Sequence, residues 1–260
     1  MKKVIINFLL VLAVSMTTPI YAHASPVVSD FFDSNKGWWM DESQWTNKSN
    51  NEDGTNISIS QVGSRLEAVS TVVPPVGNGG DATYVSKWGF NLSESFAFTV
   101  GFNYNPVNTA TGAMFVGIWP TQNSEDHYVH MYGGNISSSP QYQWEWSLPS
   151  GDGSEFSTRT GTNGTFSVSY DSALKQMIFA SGSAAKTFEL AAFVEPGDMV
   201  NVVMGAGTMG ALFNGSEAYL TNFNVSQGTP IATPEPVSSA LFLLGGAALA
   251  ARKMRKKNVA

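Results

Sequence analysis

The chain contains no cysteine, and only three of its 260 residues are histidine. Without thiols the protein forms no disulfide, uses no cysteine nucleophile and builds no thiolate metal site, so its stability must come from a packed core. Of the histidines, His127 and His130 stand three positions apart and would point to opposite faces of a strand. That geometry does not suit shared chelation of one metal ion. We expect both histidines at the surface and no metal site built on them.

Basic residues are also scarce between the two ends of the chain. Residues 25–233 hold seven Lys and Arg against 19 Asp and Glu, a net charge of −12. A body without a basic stripe is a poor partner for nucleic acid or anionic lipid, and we expect neither. We also expect no cofactor. A structural calcium ion is the open alternative, because residues 50–54, Asp30 and Asp33 offer oxygen ligands, although they form no EF-hand pattern.

The chain also lacks a long hydrophobic run, even at its C-terminal end. The apolar segment 237–251 would span only about 22 Å as a helix, less than the roughly 30 Å of a bilayer's hydrocarbon core. It follows Pro234, Glu235 and Pro236. It ends in a basic cluster that a cytoplasmic face would retain: Arg252, Lys253, Arg255, Lys256 and Lys257.

This order of Pro-Glu-Pro, short apolar helix and basic end resembles the PEP-CTERM sorting signal of Gram-negative bacteria. The resemblance implies handling by an exosortase, a transient inner-membrane intermediate, and delivery to the cell surface or extracellular matrix of a cell that makes exopolysaccharide. An ordinary tail anchor without processing is the alternative.

The N-terminal end agrees with export. Lys2 and Lys3, the apolar stretch 4–14 and the small-residue site at 22–24 are typical of a signal peptide, which implies the Sec translocon and signal peptidase as partners. We therefore predict a signal peptide at 1–24, one domain at 25–229 and the sorting signal at 230–260.

The domain has no long stretch of helical period. Short alternating or continuous apolar runs recur instead, separated by turn clusters at 77–80, 150–153 and 163–164. The runs are 57–61, 65–69, 82–88, 96–104, 113–119, 128–132, 142–148, 165–170, 176–180, 186–190, 199–204 and 218–225. This pattern predicts an all-β, two-sheet antiparallel sandwich, with the signal and tail helices outside it.

Three segments are similar to those of concanavalin-like and laminin-G-like jelly rolls. They are the opening residues 30–33, the hairpin of 166–171 with 177–179, and the closing strand 218–225. The resemblance implies a jelly roll that recognises carbohydrate, hydrolyses glycosides or serves in adhesion; it does not choose among these.

Residues 141–146 alternate strictly, which places two different rows on the two faces of one strand. The aromatic row is Tyr142, Trp144 and Trp146, and the polar row is Gln141, Gln143 and Glu145. Aromatic rings stack on sugars, and amides and carboxylates bind hydroxyls, so either row could meet a glycan. The competing interpretation places the aromatic row in the core. The candidate ligand-binding residues are Gln141, Gln143, Glu145, Trp144 and Trp146. A further cluster, Trp38, Trp39 and Trp45, is expected to be buried.

Catalysis needs a pair of carboxylates, which in laminarinase-type enzymes of this fold lies in a Glu-x-Asp-x-x-Glu strand. The chain contains no Glu-x-Asp, and Asp152 and Glu155 fall in the expected glycine-rich turn. We therefore predict a non-catalytic surface or matrix protein that binds exopolysaccharide. The alternatives are a glycoside hydrolase or lyase of the same fold, and a structural coat or biofilm protein without a specific ligand.

Overall fold

The computed structural model describes residues 45–48, 50–51, 57–70, 79–105, 112–120, 127–136, 139–190, 198–209 and 218–232. This part of the chain forms sixteen strands and no helix. In chain order they are β1 (Trp45–Asn47), β2 (Asn50–Asn51), β3 (Ile57–Val62), β4 (Arg65–Ser70), β5 (Gly79–Asn91), β6 (Phe96–Tyr104), β7 (Gly112–Pro120), β8 (Tyr128–Ile136), β9 (Ser139–Leu148), β10 (Gly151–Thr158), β11 (Asn163–Asp171), β12 (Gln176–Ser181), β13 (Ala184–Glu189), β14 (Met199–Met209), β15 (Ala218–Gln227) and β16 (Ile231–Ala232).

The strands form two sheets. The nine-stranded sheet has the order β1-β5-β14-β7-β8-β9-β10, with β2 and β16 also paired to β5. The seven-stranded sheet has the order β13-β12-β11-β6-β15-β4-β3. Every pairing is antiparallel, and the chain crosses between the sheets after β2, β4, β5, β6, β10, β13, β14 and β15. The architecture is a two-sheet jelly-roll sandwich, which confirms the predicted fold class.

The core is built by alternating side chains of the two facing sheets. In β6 the inward residues Phe96, Phe98 and Phe102 are at most 2% exposed, and Met114 and Val116 of β7 meet the same cluster from the other sheet. Burying each such side chain stabilises the fold by about 1.5–3 kcal/mol. Because the core faces of both sheets are apolar, a register slip of one residue would place them in water.

Aromatic rings dominate this interior. Phe90 stacks on Phe96 with ring centroids 4.3 Å apart, and Phe102 stacks on Phe166 at 4.2 Å. Trp45 is 3% exposed, so the expected burial of this member of the tryptophan cluster is confirmed; Trp38 and Trp39 lie outside the described residues.

A shift of register separates the two ends of the β5–β14 pairing. Between Asn201 and Val203 the two strands fall out of step. The side-chain amide of Asn201 donates to the carbonyls of Ser86 at 2.6 Å and Trp88 at 3.2 Å, and the Ser86 hydroxyl accepts from the Val202 amide. These bonds satisfy backbone groups that the irregular pairing leaves without ladder partners.

Three predicted turn clusters need correction. Residues 151–153 open β10, so Asp152 and Glu155 lie on a strand; Asn163 and Gly164 begin β11, and Gly79 begins β5. Glycine, serine and asparagine suggested turns here, but pairing with a neighbouring strand holds these residues extended. The described residues include no helix long and apolar enough to cross a membrane.

Candidate binding surface on the nine-stranded sheet

The nine-stranded sheet has two unlike faces. Along β7, Met114, Val116 and Ile118 belong to the core between the sheets, whereas Phe115 and Trp119 belong to a separate cluster. Because side chains alternate along a strand, this second cluster lies on the side turned away from the other sheet. We refer to that side, which carries Phe115, Gly117 and Trp119, as the outer face.

Cross-strand pairing places the outer-face residues in rows. One row runs from Phe115 of β7 to Tyr132 of β8, Gln143 of β9 and Phe156 of β10. The next row runs through Gly117, His130, Glu145 and Ser154. Directly paired residues lie about 5 Å apart, so side chains from four strands meet in one area.

A small apolar cluster supports this area. Val85, Phe115 and Val203 are buried, and Trp119 and Tyr132 pack against them while remaining partly exposed. Phe115 lies 5.1 Å from Tyr132 and 5.3 Å from His130 between ring centroids. The polar groups of the outer face therefore stand on a packed base, which limits the freedom of their side chains.

His130 lies at the centre of the outer face and is 7% exposed, so the predicted surface position is wrong for this residue. Its Nε2 is 2.8 Å from the Nε1 of Trp119. An indole N–H only donates, so Nε2 accepts and the ring proton is on Nδ1, which lies 3.2 Å from the Tyr132 hydroxyl. Burial lowers the pKa of His130 to about 3, and the ring is neutral.

Gly117 makes room for this histidine. A Cβ at position 117 would lie 2.2 Å from Cδ2 of His130 and 2.6 Å from the carbonyl oxygen of Val129. Any side chain would push the imidazole away from Trp119, which lies two residues further along β7.

Two tyrosines converge on Glu145. The Tyr128 hydroxyl donates to Oε1 of Glu145 at 3.1 Å. Burial, then the charge and the hydrogen bond of Glu145, raise the pKa of Tyr128 to about 12. Burial and a side-chain hydrogen bond to Glu145 likewise raise the pKa of Tyr132 well above its ordinary value. Both phenols are therefore protonated donors toward this carboxylate.

Two further carboxylates act on the same tyrosines. The charge of Asp152 contributes to the raised pKa of Tyr128, and the charge of Asp81 contributes to that of Tyr132. Asp81 lies in β5, three strands from Tyr132, and accepts a hydrogen bond from the hydroxyl of Thr83.

The structure separates the predicted ligand-binding residues into two groups. Gln141, Gln143 and Glu145 lie on the outer face and are partly exposed. Trp144 faces the core, is 2% exposed and donates its indole N–H to the carbonyl of Phe179, so its ring has no free face for a ligand. Trp146 is partly buried against the core, 5.6 Å from Phe188 between ring centroids. Because side chains alternate along β9, only one of its two rows, the polar one, lies on the outer face.

Sequence reasoning missed several outer-face residues. Phe156 is 48% exposed beside Gln143, at the edge of the sheet. In the sequence, Phe156 is a single aromatic residue in a polar stretch, and part of that stretch was predicted to be a turn. Trp119, Tyr128 and Asp81 were not singled out, because their relation to Glu145 depends on cross-strand register.

The remaining predicted sites lie outside the described residues: the sorting motif 234–236, the basic cluster in 252–257, Asp30, Asp33 and residues 52–54. Within the described ranges no group of three or more His, Cys, Asp or Glu is arranged to hold a metal ion.

Comparison with known proteins returned similar structures only. No protein-family model matches the sequence, and no curated protein does. The chain is similar to a family 16 glycoside hydrolase endo-glucanase from Bacteroides ovatus (TM-score 0.43, 13% identity, covering 71% of this chain and 93% of that one). It is also similar to the CBM2 module of an evolved Dit from Lactobacillus casei BL23 phage J-1 (TM-score 0.45, 12% identity, 80% and 96%) and to a legume lectin-like domain from Entamoeba histolytica (0.45, 11%, 71% and 90%). Similarities at this level establish neither a family nor an activity.

Proposed function

We propose that the protein is an exported, non-catalytic carbohydrate-binding protein whose ligand, an exopolysaccharide, lies on the outer face of the nine-stranded sheet. The observation that carries this proposal is the combination of Phe156, Gln143 and Glu145 on neighbouring strands. An exposed ring offers a stacking surface for a sugar, an amide offers both donor and acceptor, and a carboxylate held by the Tyr128 hydroxyl offers fixed acceptors. Such a set of one aromatic platform and a few oriented polar groups is typical of small-ligand sites.

The test is binding of the purified chain to a glycan array, compared with the variant Phe156→Ala. We expect binding to at least one polysaccharide, weakened by up to about tenfold by the loss of the ring, because an aromatic stacking contact is worth roughly 0.5–1.5 kcal/mol and about 1.4 kcal/mol is tenfold in affinity. Binding that is equal in the variant would contradict the proposed surface. Absence of any bound glycan would favour a coat or biofilm protein without a specific ligand.

A glycoside hydrolase is the second candidate, because two carboxylates of the nine-stranded sheet, Glu145 and Asp81, contribute to the raised pKa of Tyr132. Retaining hydrolysis needs one carboxyl group that holds a proton and can donate it. In the contacts that they make, both carboxylates are acceptors: Glu145 accepts from the Tyr128 hydroxyl, and Asp81 accepts from the Thr83 hydroxyl. Release of reducing ends from a glycan that the chain binds, abolished by Glu145→Gln, would establish the enzyme.

Export and sorting are part of the same proposal and depend on the sequence of the two ends. We expect removal of residues 1–24 by signal peptidase, a transient inner-membrane intermediate, and exosortase processing at Pro234, Glu235 and Pro236. Replacing these three residues by alanine should leave unprocessed protein in the inner membrane of the native host. Unchanged processing and surface delivery would contradict the sorting proposal while leaving the binding surface untouched.

A further inference from the structure

On the outer face, the hydrogen bonds of Trp119, His130 and Tyr128 have defined donors and acceptors, and they lead toward Glu145. Trp119 donates to Nε2 of His130, so Nδ1 of His130 carries the proton and donates to the hydroxyl oxygen of Tyr132. Tyr132 keeps its own proton for donation toward Glu145, whose charge contributes to the raised pKa of this tyrosine. Tyr128 donates to Glu145 from the other side. The network therefore begins at an indole N–H that can only donate and ends at a carboxylate that only accepts.

This direction decides what Glu145 can offer a ligand. A carboxylate has about four acceptor positions, and the Tyr128 hydroxyl occupies one of them. Glu145 is partly exposed, so the remaining positions are open to groups that donate hydrogen bonds. Sugar hydroxyls are such groups, whereas the carboxylate of a uronic acid has no proton to give and carries the same charge as Glu145.

The charges around Glu145 also disfavour a ligand that carries a carboxylate. The charge of Asp152 contributes to the raised pKa of Tyr128, and that of Asp81 to the raised pKa of Tyr132, so both carboxylates add negative charge to the field around the tyrosines that neighbour Glu145. Lys87 of β5 is the basic residue that the described strands of this sheet contain. Lys186 of the seven-stranded sheet lies over the Trp146 ring, on the face of β9 opposite Glu145, and its charge is paired with Glu155. β5 is four strand positions from β9, which places Lys87 roughly 19 Å from Glu145 along the sheet, about twice the screening length at physiological salt.

We infer that the outer face selects uncharged glycans and rejects glycans that carry carboxylates, with Glu145 as the residue that determines this selectivity. The inference rests on the proposed carbohydrate-binding function and narrows it to a class of polysaccharide. His130 and Tyr132 are positioning residues, because they act through the orientation of Glu145.

The test uses the purified full chain on an array of matched pairs, in which each neutral glycan is accompanied by a uronic-acid glycan of the same linkage. For every linkage that is bound, we expect the neutral member to bind at least about tenfold more tightly at low salt, and this ratio to shrink as salt rises. The variant Glu145→Gln keeps the size of the side chain and removes its charge. It should weaken neutral binding several-fold, because charge-assisted hydrogen bonds are the stronger ones, and bring the ratio toward one.

Two further variants make the result decisive. Asp81→Asn should also lower the neutral-to-uronate ratio, and it replaces Glu145→Gln as the test should that variant fail to fold. Glu189→Gln removes the same charge from the seven-stranded sheet and should leave the ratio unchanged. Equal or tighter binding of the uronate, or a ratio that neither outer-face variant alters, would overturn the inference and leave the binding function standing. Absence of binding to every glycan on the array would overturn both.

Discussion

The two faces of β9 are built from adjacent residues and serve different ends. The inner face puts Tyr142 and Trp144 into the core between the sheets, where each is at most 7% exposed. The outer face puts Gln143 and Glu145, one residue away along the chain, beside tyrosines and a histidine at a surface that no second sheet of the described strands covers. The inner face depends on the volume that its side chains fill in the core, whereas the outer face depends on the direction of each hydrogen bond.

The difference has a consequence for mutation. Substitution on the inner face creates a cavity and lowers the free energy of unfolding. Substitution on the outer face removes a directed contact and should change recognition more than stability, except at the buried histidine and at the tyrosine hydroxyl that bonds Glu145.

The largest expected effect is that of Trp144→Ala. Loss of a fully buried indole should lower the free energy of unfolding by about 3–5 kcal/mol. Gln143→Ala, its neighbour on the outer face, should change it by less than about 0.5 kcal/mol. Denaturant unfolding of both variants measures the contrast. Similar losses in the two would show that the faces do not differ as the packing indicates.

His130 should produce the next largest effect, and it depends on pH. Its pKa is about 3 in the folded protein and near 6.5 in an unfolded chain, so below pH 6.5 the unfolded state binds a proton that the folded state does not. Stability attributable to this residue is therefore present above pH 6.5 and falls toward pH 3, by about 1.4 kcal/mol per pH unit.

The measurement is the free energy of unfolding at several pH values from 7.5 to 4. Between pH 6 and pH 4, His130→Gln should reduce the slope of the unfolding free energy against pH. The reduction corresponds to about one proton, or about 1.4 kcal/mol per pH unit. His127→Gln is the matched control, at the residue that precedes β8. It should change the slope of the unfolding free energy against pH less than His130→Gln does. An unchanged slope in His130→Gln would mean that the imidazole is not buried in its neutral form.

A smaller effect, confined to binding, is expected for Phe156. Replacing it by alanine should weaken binding of a neutral glycan by up to about tenfold and leave the free energy of unfolding within about 0.5 kcal/mol, because the ring is half exposed. Leu174→Ala is the control, since Leu174 is 61% exposed on the turn between β11 and β12. Weakened binding in the control and not in Phe156→Ala would move the site to the other sheet.

The smallest effect is that of Tyr128→Phe, which removes one hydroxyl and keeps the ring. We expect a loss of about 0.5–1.5 kcal/mol in unfolding free energy and a several-fold loss in affinity. A double-mutant cycle with Glu145→Gln should show coupling between the two positions. Additive effects would mean that the hydrogen bond to Oε1 contributes little to either property.

The sequence predicted the parts of this comparison that depend on local alternation. The rows at 141–146 follow from a period of two, and so do the sandwich and its apolar inner faces. The contacts of His130 could not be predicted in this way, because they depend on the register between strands. His130 lies beside Trp119, Tyr132 and Glu145 because β7, β8 and β9 pair as they do. Gly117 leaves the space that the imidazole occupies.

β10 was missed for a different reason. It is an edge strand that buries little, so glycine and serine at 151–154 mask its extended form, and Phe156 alone marks it. The sorting and export signals at the two ends remain predictions from sequence.

The most direct test of the central claim is an NMR titration of the purified chain with a bound neutral oligosaccharide, observed at side-chain signals that belong to one face each. The outer-face site predicts shifts in the Phe156 ring and in the Gln143 side-chain amide, while the Trp144 indole N–H, bonded to the Phe179 carbonyl, stays in place. Shifts in the methyl groups of Leu174 and Ile178, with Phe156 and Gln143 unchanged, would contradict it.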